Sequence, residues 1–217
     1  MIRLHHVAQA RSFRVLWLLE ELGENYEITA HSFFDKSLRH ADYLKLSPAG
    51  RVPALEIDGR VLFESGAIVE YLCETRGQLA PLPGAAGRAA WLEWLHYSET
   101  LGQHLAALTQ QHIVLREDWM RSPTVMRLEA RRLENALGAA EAVLAGQEYL
   151  LASGFSAVDV TMGYGAALAR RFVSFDALPA VAAGLDRLVA RPAHIRATSR
   201  DGVPEIYTRA VYEVPDA

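Results

Sequence analysis

Arg51-Val52-Pro53-Ala54-Leu55, joined through Asp58-Gly59 to Arg60-Val61-Leu62-Phe63-Glu64-Ser65, is the stretch that decides the fold. Two short apolar runs flank Asp-Gly, the dipeptide favoured by a tight type I′ turn because both central residues take positive φ. A β-hairpin is expected. A helix should follow, because Ile68, Val69, Leu72 and Cys73 recur at helical spacing after Glu64-Ser65. Pro53 has no N–H for a ladder, so it belongs at a sheet edge or in a special turn, where a cis bond is also accessible. An edge backbone beside the amino end of a helix can hold a short peptide and its carboxylate.

Outward from the hairpin, residues 1 to about 80 read as strand, helix, strand, helix, hairpin, helix. Ile2 to His6 is the first strand, Ser12 to Leu22 an amphipathic helix stopped by Gly23, and Tyr26 to Ser32 the second strand. Arg39 to Leu46 suits a short irregular helix before Ser47-Pro48-Ala49-Gly50 breaks it. Gly77 to Gly87, with Pro81, Pro83 and Gly84, has linker composition; the boundaries expected are 1–80, a linker at 81–87 and 88–217. The last part reads as helices only. Ala89 to Arg116 and Arg121 to Leu144 are long, Ser156 to Arg171 and Leu178 to Ala190 follow, and Ala193 to Ala217 is a short helix and then irregular. The fold class expected is α/β followed by all-α.

Composition narrows the partners. A net charge of −4 and a pI near 6.1 give no electrostatic reason to bind nucleic acid or an anionic membrane. The longest apolar runs are short and contain proline, so no transmembrane helix is expected. Met1-Ile2-Arg3-Leu4-His5-His6 lacks the apolar core of a secretory signal, and a single cysteine, Cys73, forms no intrachain disulfide. The cytoplasm is the expected location. Cys73 falls on the apolar face of its helix and reads as core.

Val52-Pro53 with Glu64-Ser65, the latter serine twelve residues beyond the proline, resembles the glutathione-binding site of the glutathione S-transferase superfamily. Two further anchors extend the resemblance over nearly the whole chain: the helix opening Ser12 to Gly23 and the block Ser156-Ala157-Val158-Asp159. It implies a thioredoxin-like first domain and a helical bundle after it. It also implies glutathione as co-substrate with a small hydrophobic electrophile, a detoxification chemistry, and a homodimer. By resemblance, the Ser65 hydroxyl and amide hold the γ-glutamyl carboxylate and Glu64 pairs with the ammonium group. Val52 exchanges backbone hydrogen bonds with the cysteinyl unit, and Pro53 is cis.

Each of these residues has a plainer reading beside it. Glu64-Ser65 is also an ordinary helix cap. Arg51, Arg39 and His40 stand where the family puts donors for the glycine carboxylate, or are solvated surface residues. Ser156 to Asp159 is a capping-box pattern with a folding role. Tyr97, His104, His112, Arg116 and Trp119 line a second-substrate pocket or pack between helices. His104 and His112 are eight apart, not the four that sets two ligands side by side, so no metal is expected.

The departure from the family lies after the first strand. A thiol with a pKa of about 8.5 is mostly protonated at neutral pH, so relatives aim a hydroxyl at it or use a cysteine. Where similar chains read Ser-Arg-Ser-x-Arg, this one reads Ala10-Arg11-Ser12-Phe13-Arg14, and Val7-Ala8-Gln9-Ala10 holds no hydroxyl or thiol. The lost hydrogen bond is worth roughly 1.5–3 kcal/mol. Ser12 can replace it by turning toward the sulfur, unless it is the helix cap; Arg11 and the positive helix end can replace it by charge. Transfer of the glutathione sulfur to an electrophile is the leading expectation, although Ala10 favours its rivals. Glutathione-dependent reduction of a disulfide or peroxide, and binding without turnover, are its rivals.

Overall fold

The computed structural model describes residues 1–214; expectations for 215–217 lie outside the described residues. Two compact units emerge: Met1–Pro83 with Ala190–Ile206, and Gly84–Val189 with the chain from Tyr207 onward. The sequence reading put everything after residue 88 in one domain. The structure instead returns residues 190–206 to the first unit.

In the first unit, β1 (Ile2–His6), β2 (Tyr26–Ala30), β3 (Ala54–Ile57) and β4 (Arg60–Phe63) form one sheet in the order β2-β1-β3-β4. β1 runs parallel to β2 and antiparallel to β3, and the hairpin β3–β4 closes the edge. Its turn is as expected, with Asp58 at φ 50° and Gly59 at φ 76°. β3 is an interior strand, so of the two expectations for Pro53, a sheet edge or a special turn, the second holds. Pro53 escapes the ladder by lying just before the strand, where its missing N–H costs nothing.

Helix α1 (Ser12–Leu22) buries Val15, Leu16, Leu18 and Leu19 and ends in a left-handed Gly23. α2 (Ala41–Leu46) is short, and α3 (Ser65–Arg76) packs against α1 and buries Ile68, Val69, Leu72 and Cys73.

The second unit holds α4 (Arg88–Thr109), α5 (Pro123–Leu144), α6 (Ala157–Ala169) and α7 (Pro179–Val189). A single π turn, Gln110–Val114, continues α4 where the sequence suggested an unbroken helix. α6 is buried on nearly every side, as its almost continuous apolar run requires.

α8 (Pro192–Arg200) belongs to the first unit and lies on α1. Arg191 bonds both carboxylate oxygens of Glu21 at 2.7 and 2.8 Å, and Arg196 donates to Glu20 at 2.7 Å. The His194 ring meets Trp17 edge-on. Acids in the last turns of α1 thus face arginines at the start of α8 and along it, a charge match legible in sequence only once the pairing is known.

Candidate functional site

Four loops of the first unit carry the expected residues. The Val52–Pro53 bond is cis, and Val52 packs in one buried cluster with Val7, Leu38, Tyr43 and Ala54. Ala10 packs against the same cluster, so the loop after β1 and the loop before β3 meet. Tyr43 fixes the approach from α2: its hydroxyl donates to the Arg51 carbonyl at 2.7 Å. Burial pushes the Tyr43 phenol up to about 12, so it remains a donor throughout the neutral range. Sequence reasoning passed over Tyr43, whose only signal was an aromatic residue in a short helix next to the Ser47-Pro48-Ala49-Gly50 break.

Glu64 and Ser65 depart from the expected capping geometry. Glu64 occupies the cap position, with φ 73° and ψ 115°, and no side chain caps α3. Such a backbone is costly for a residue with a Cβ, by roughly 1–3 kcal/mol, and it turns the Glu64 side chain outward at the exposed surface. Ser65 is the first helical residue and is buried, with its hydroxyl accepting from Arg14 Nη1 at 3.3 Å.

Arg14 is the second residue that sequence reasoning missed. It is only 1% exposed, inside an apolar run of α1 where a charge is out of place. That misfit was the available signal. Its guanidinium and the positive end of α3 converge on the Ser65 hydroxyl, an arrangement suited to an anionic group.

The remaining basic residues are less fixed. Arg51 and His40 are exposed, and His40 begins α2 from an extended backbone. Arg39, also exposed, reaches the Ala49 carbonyl at 3.5 Å, beside Gly50. Gly50 takes φ 60°, and a Cβ there would lie 2.7 Å from the Leu38 carbonyl and 3.0 Å from Arg39 Nη1. A glycine is therefore what lets the Arg39 turn close on the loop that leads to Arg51.

Ser12 requires a correction. The sulfur-ligand reading needs an outward hydroxyl, whereas Ser12 is 0% exposed; the cap reading needs the position before the first helical residue, whereas Ser12 is itself that first residue. Its Oγ accepts from the Val7 amide at 3.2 Å and lies 3.3 Å from the Val7 carbonyl, to which it donates. The cap position belongs to Arg11. Ser12 thus ties the loop to its own strand, and the part-buried Arg11 stands at the amino end of α1.

In the second unit, Tyr97 donates to the Ala136 carbonyl at 3.0 Å, and buried His104 meets Glu129 at 2.7 Å. Burial pushes the Glu129 carboxyl up, but His104 and Arg132 outweigh it and hold it below its ordinary value. These two residues of α4 have packing and pairing partners. His112 lies against Phe172 and Tyr212, while Arg116 and Trp119 are exposed. Among the described residues no group of three or more His, Cys, Asp or Glu side chains is placed to hold a metal. No helix there is long and apolar enough to cross a membrane.

Comparison with known proteins agrees with this geometry. Residues 1–74 match the family described as "Glutathione S-transferase, N-terminal domain". The chain is 40% identical over 101 residues to glutathione S-transferase 3 of Schizosaccharomyces pombe, which covers 46% of this chain and 41% of that protein's length. A probable glutathione S-transferase of Oryza sativa subsp. japonica is 30% identical over 192 residues, 82% of this chain and 86% of the relative. A crystal structure of a glutathione transferase from Phanerochaete chrysosporium, in complex with oxidized glutathione, superposes with a TM-score of 0.85. It shares 25% identity, over 92% of this chain and 96% of that one. On the sheet order, the Val52–Pro53 and Ser65 loops, and near full-length likeness to the rice relative, the chain belongs to the glutathione S-transferase family.

Proposed function

We propose that the protein binds reduced glutathione in its first unit and transfers the glutathione sulfur to a small hydrophobic electrophile. The observation that carries this reading is the convergence of the Arg14 guanidinium and the amino end of α3 on Ser65. Ser65 then takes the γ-glutamyl carboxylate through its hydroxyl and amide, and the outward Glu64 takes the ammonium group. Val52 lies outside the β1–β3 ladder and so has backbone groups to exchange with the cysteinyl unit. Arg51 and Arg39 supply positive charge, and His40 a ring N–H, for the glycine carboxylate.

In the reaction, the thiol gives its proton to solvent and the thiolate attacks the electrophilic carbon. A carbon–sulfur bond forms as the leaving group departs with its electron pair. With Ala10 and the committed Ser12 hydroxyl, the thiolate is left to Arg11 and the positive end of α1. Conjugation should therefore be slow at neutral pH. The enzyme is proposed to be cytoplasmic and a two-fold homodimer, the commonest closed assembly.

The same absence of a hydroxyl favours a second reading, in which the glutathione thiolate attacks the glutathione sulfur of a mixed disulfide, the other thiolate departs with the electron pair of the broken S–S bond, and oxidized glutathione is released. The oxidized glutathione bound by the Phanerochaete relative is consistent with it. Turnover of an aryl halide compared with turnover of a mixed glutathione disulfide separates the two. Ala10→Ser should raise aryl-halide conjugation roughly ten- to a hundred-fold, the value of one hydrogen bond to a charged sulfur. An unchanged conjugation rate together with fast disulfide cleavage would establish the reductive reading.

A further inference from the structure

The loop Val7–Ala10 is held by a residue far away in sequence. Asp201 directly follows α8, and both its carboxylate oxygens lie 3.1 Å from the Gln9 amide. The same residue bonds the end of β1: buried His6 Nε2 lies 2.9 Å from the Asp201 carbonyl and 3.1 Å from Oδ1. Gln9 sits at φ 60°, a left-handed conformation that non-glycine residues rarely take. A carboxylate accepting its amide is the kind of local contact that stabilises such a turn. The next residue, Gly202, lies beside Ala8, at a distance where a Cβ would make ordinary contact, 3.6 Å from the Ala8 Cβ.

From the other side, Ser12 clamps Val7, and the Ala10 amide donates to the Val7 carbonyl at 3.1 Å. Val7 is therefore tied to α1 and Gln9 to Asp201, so the loop is held at both of these points. Because the loop brings no hydroxyl to the sulfur, its main chain and the helix end behind it are what it offers, and these act only in a defined orientation.

We propose that Asp201 is a positioning residue for the glutathione sulfur, holding the Val7–Ala10 loop and the amino end of α1 where they lower the thiol pKa. This rests on the glutathione site proposed above. Three measurements on the full chain test it: the thiol pKa of bound glutathione from the ultraviolet absorbance of the thiolate, glutathione affinity by calorimetry, and kcat against KM. Asp201→Ala should raise the bound thiol pKa and lower kcat near pH 7 by roughly ten-fold, one pKa unit, while glutathione affinity stays within about two-fold. Asp201→Asn keeps an oxygen for the Gln9 amide and removes a negative charge, so its thiol pKa should fall at or below the parent's and kcat should recover.

Parental thiol pKa and kcat in Asp201→Ala would overturn the proposal, leaving Asp201 as a tie between α8 and β1. Asp201→Asn as impaired as Asp201→Ala would overturn it too. Failure of the parent to bind glutathione would instead refute the site itself, which distinguishes the two ideas.

Discussion

Two helices of this chain begin with a serine and an acid, and the structure uses them in opposite ways. At α6, Asp159 accepts from the Leu150 amide at 2.9 Å and the Ser156 amide at 2.8 Å, so the helix end is closed by its own residues. At α3 nothing of the helix's own caps it. Glu64 is held at φ 73° facing outward, and Ser65 meets a buried guanidinium from another helix. Helix ends expose amides that some group must satisfy. Where the chain supplies that group itself, the motif serves folding. Where it supplies strain and positive charge, the open end suits the anionic group proposed for it.

The largest effect should come from breaking the closed end. Asp159→Ala strands two buried amides and should cost about 2–4 kcal/mol of stability, read from denaturant midpoints at constant m. Glutathione affinity of the folded protein should not change. At the open end, Ser65→Ala should weaken glutathione binding by about 1–3 kcal/mol, the value of a hydrogen bond to a charged group. Its stability should change by less, since no cap is lost. Glu64→Gly should do the reverse of an ordinary glycine substitution and stabilise the fold by up to about 1 kcal/mol, because φ 73° suits glycine. The same variant should bind glutathione more weakly. A destabilised Glu64→Gly would mean that the Glu64 side chain serves the fold after all.

The smallest effect concerns pH. Burial raises the Asp159 carboxyl above its ordinary value of 3.8, outweighing its hydrogen bonds. The folded state thus binds this proton more tightly than the unfolded chain. The contribution is fully present below pH 3.8 and is lost as pH rises through the higher folded value. Asp159→Asn should remove that part of the slope in a pH series of unfolding midpoints. A slope identical to the parent's would contradict the assignment.

Much of the fold was legible because it is written in local patterns. Asp58-Gly59 demands a hairpin turn, Gly23 ends α1 in a left-handed conformation, and the helical periods of α4 to α7 report buried faces. The proline loop was legible from a resemblance more than from physics, and the interior place of the strand that follows it shows the limit of a one-strand rule. The partners were not legible. Periodicity says which face is buried and never against what, so α8 could not be assigned to α1, nor Asp201 to Gln9. Ser12 misled for the same reason: its sequence position fits a cap, while the hydrogen bond it makes runs back to Val7. Arg14 was visible as a charge within an apolar run, and that kind of misfit is worth pursuing.

The central claim is that the open end of α3 is the carboxylate site for glutathione. Calorimetric titration of glutathione into the parent, Ser65→Ala and Asp159→Asn at one pH tests it most directly. The account predicts saturable binding by the parent, an affinity loss of roughly ten-fold or more in Ser65→Ala, and parental affinity in Asp159→Asn despite its altered stability. Parental affinity in Ser65→Ala, or no binding by the parent, would contradict it.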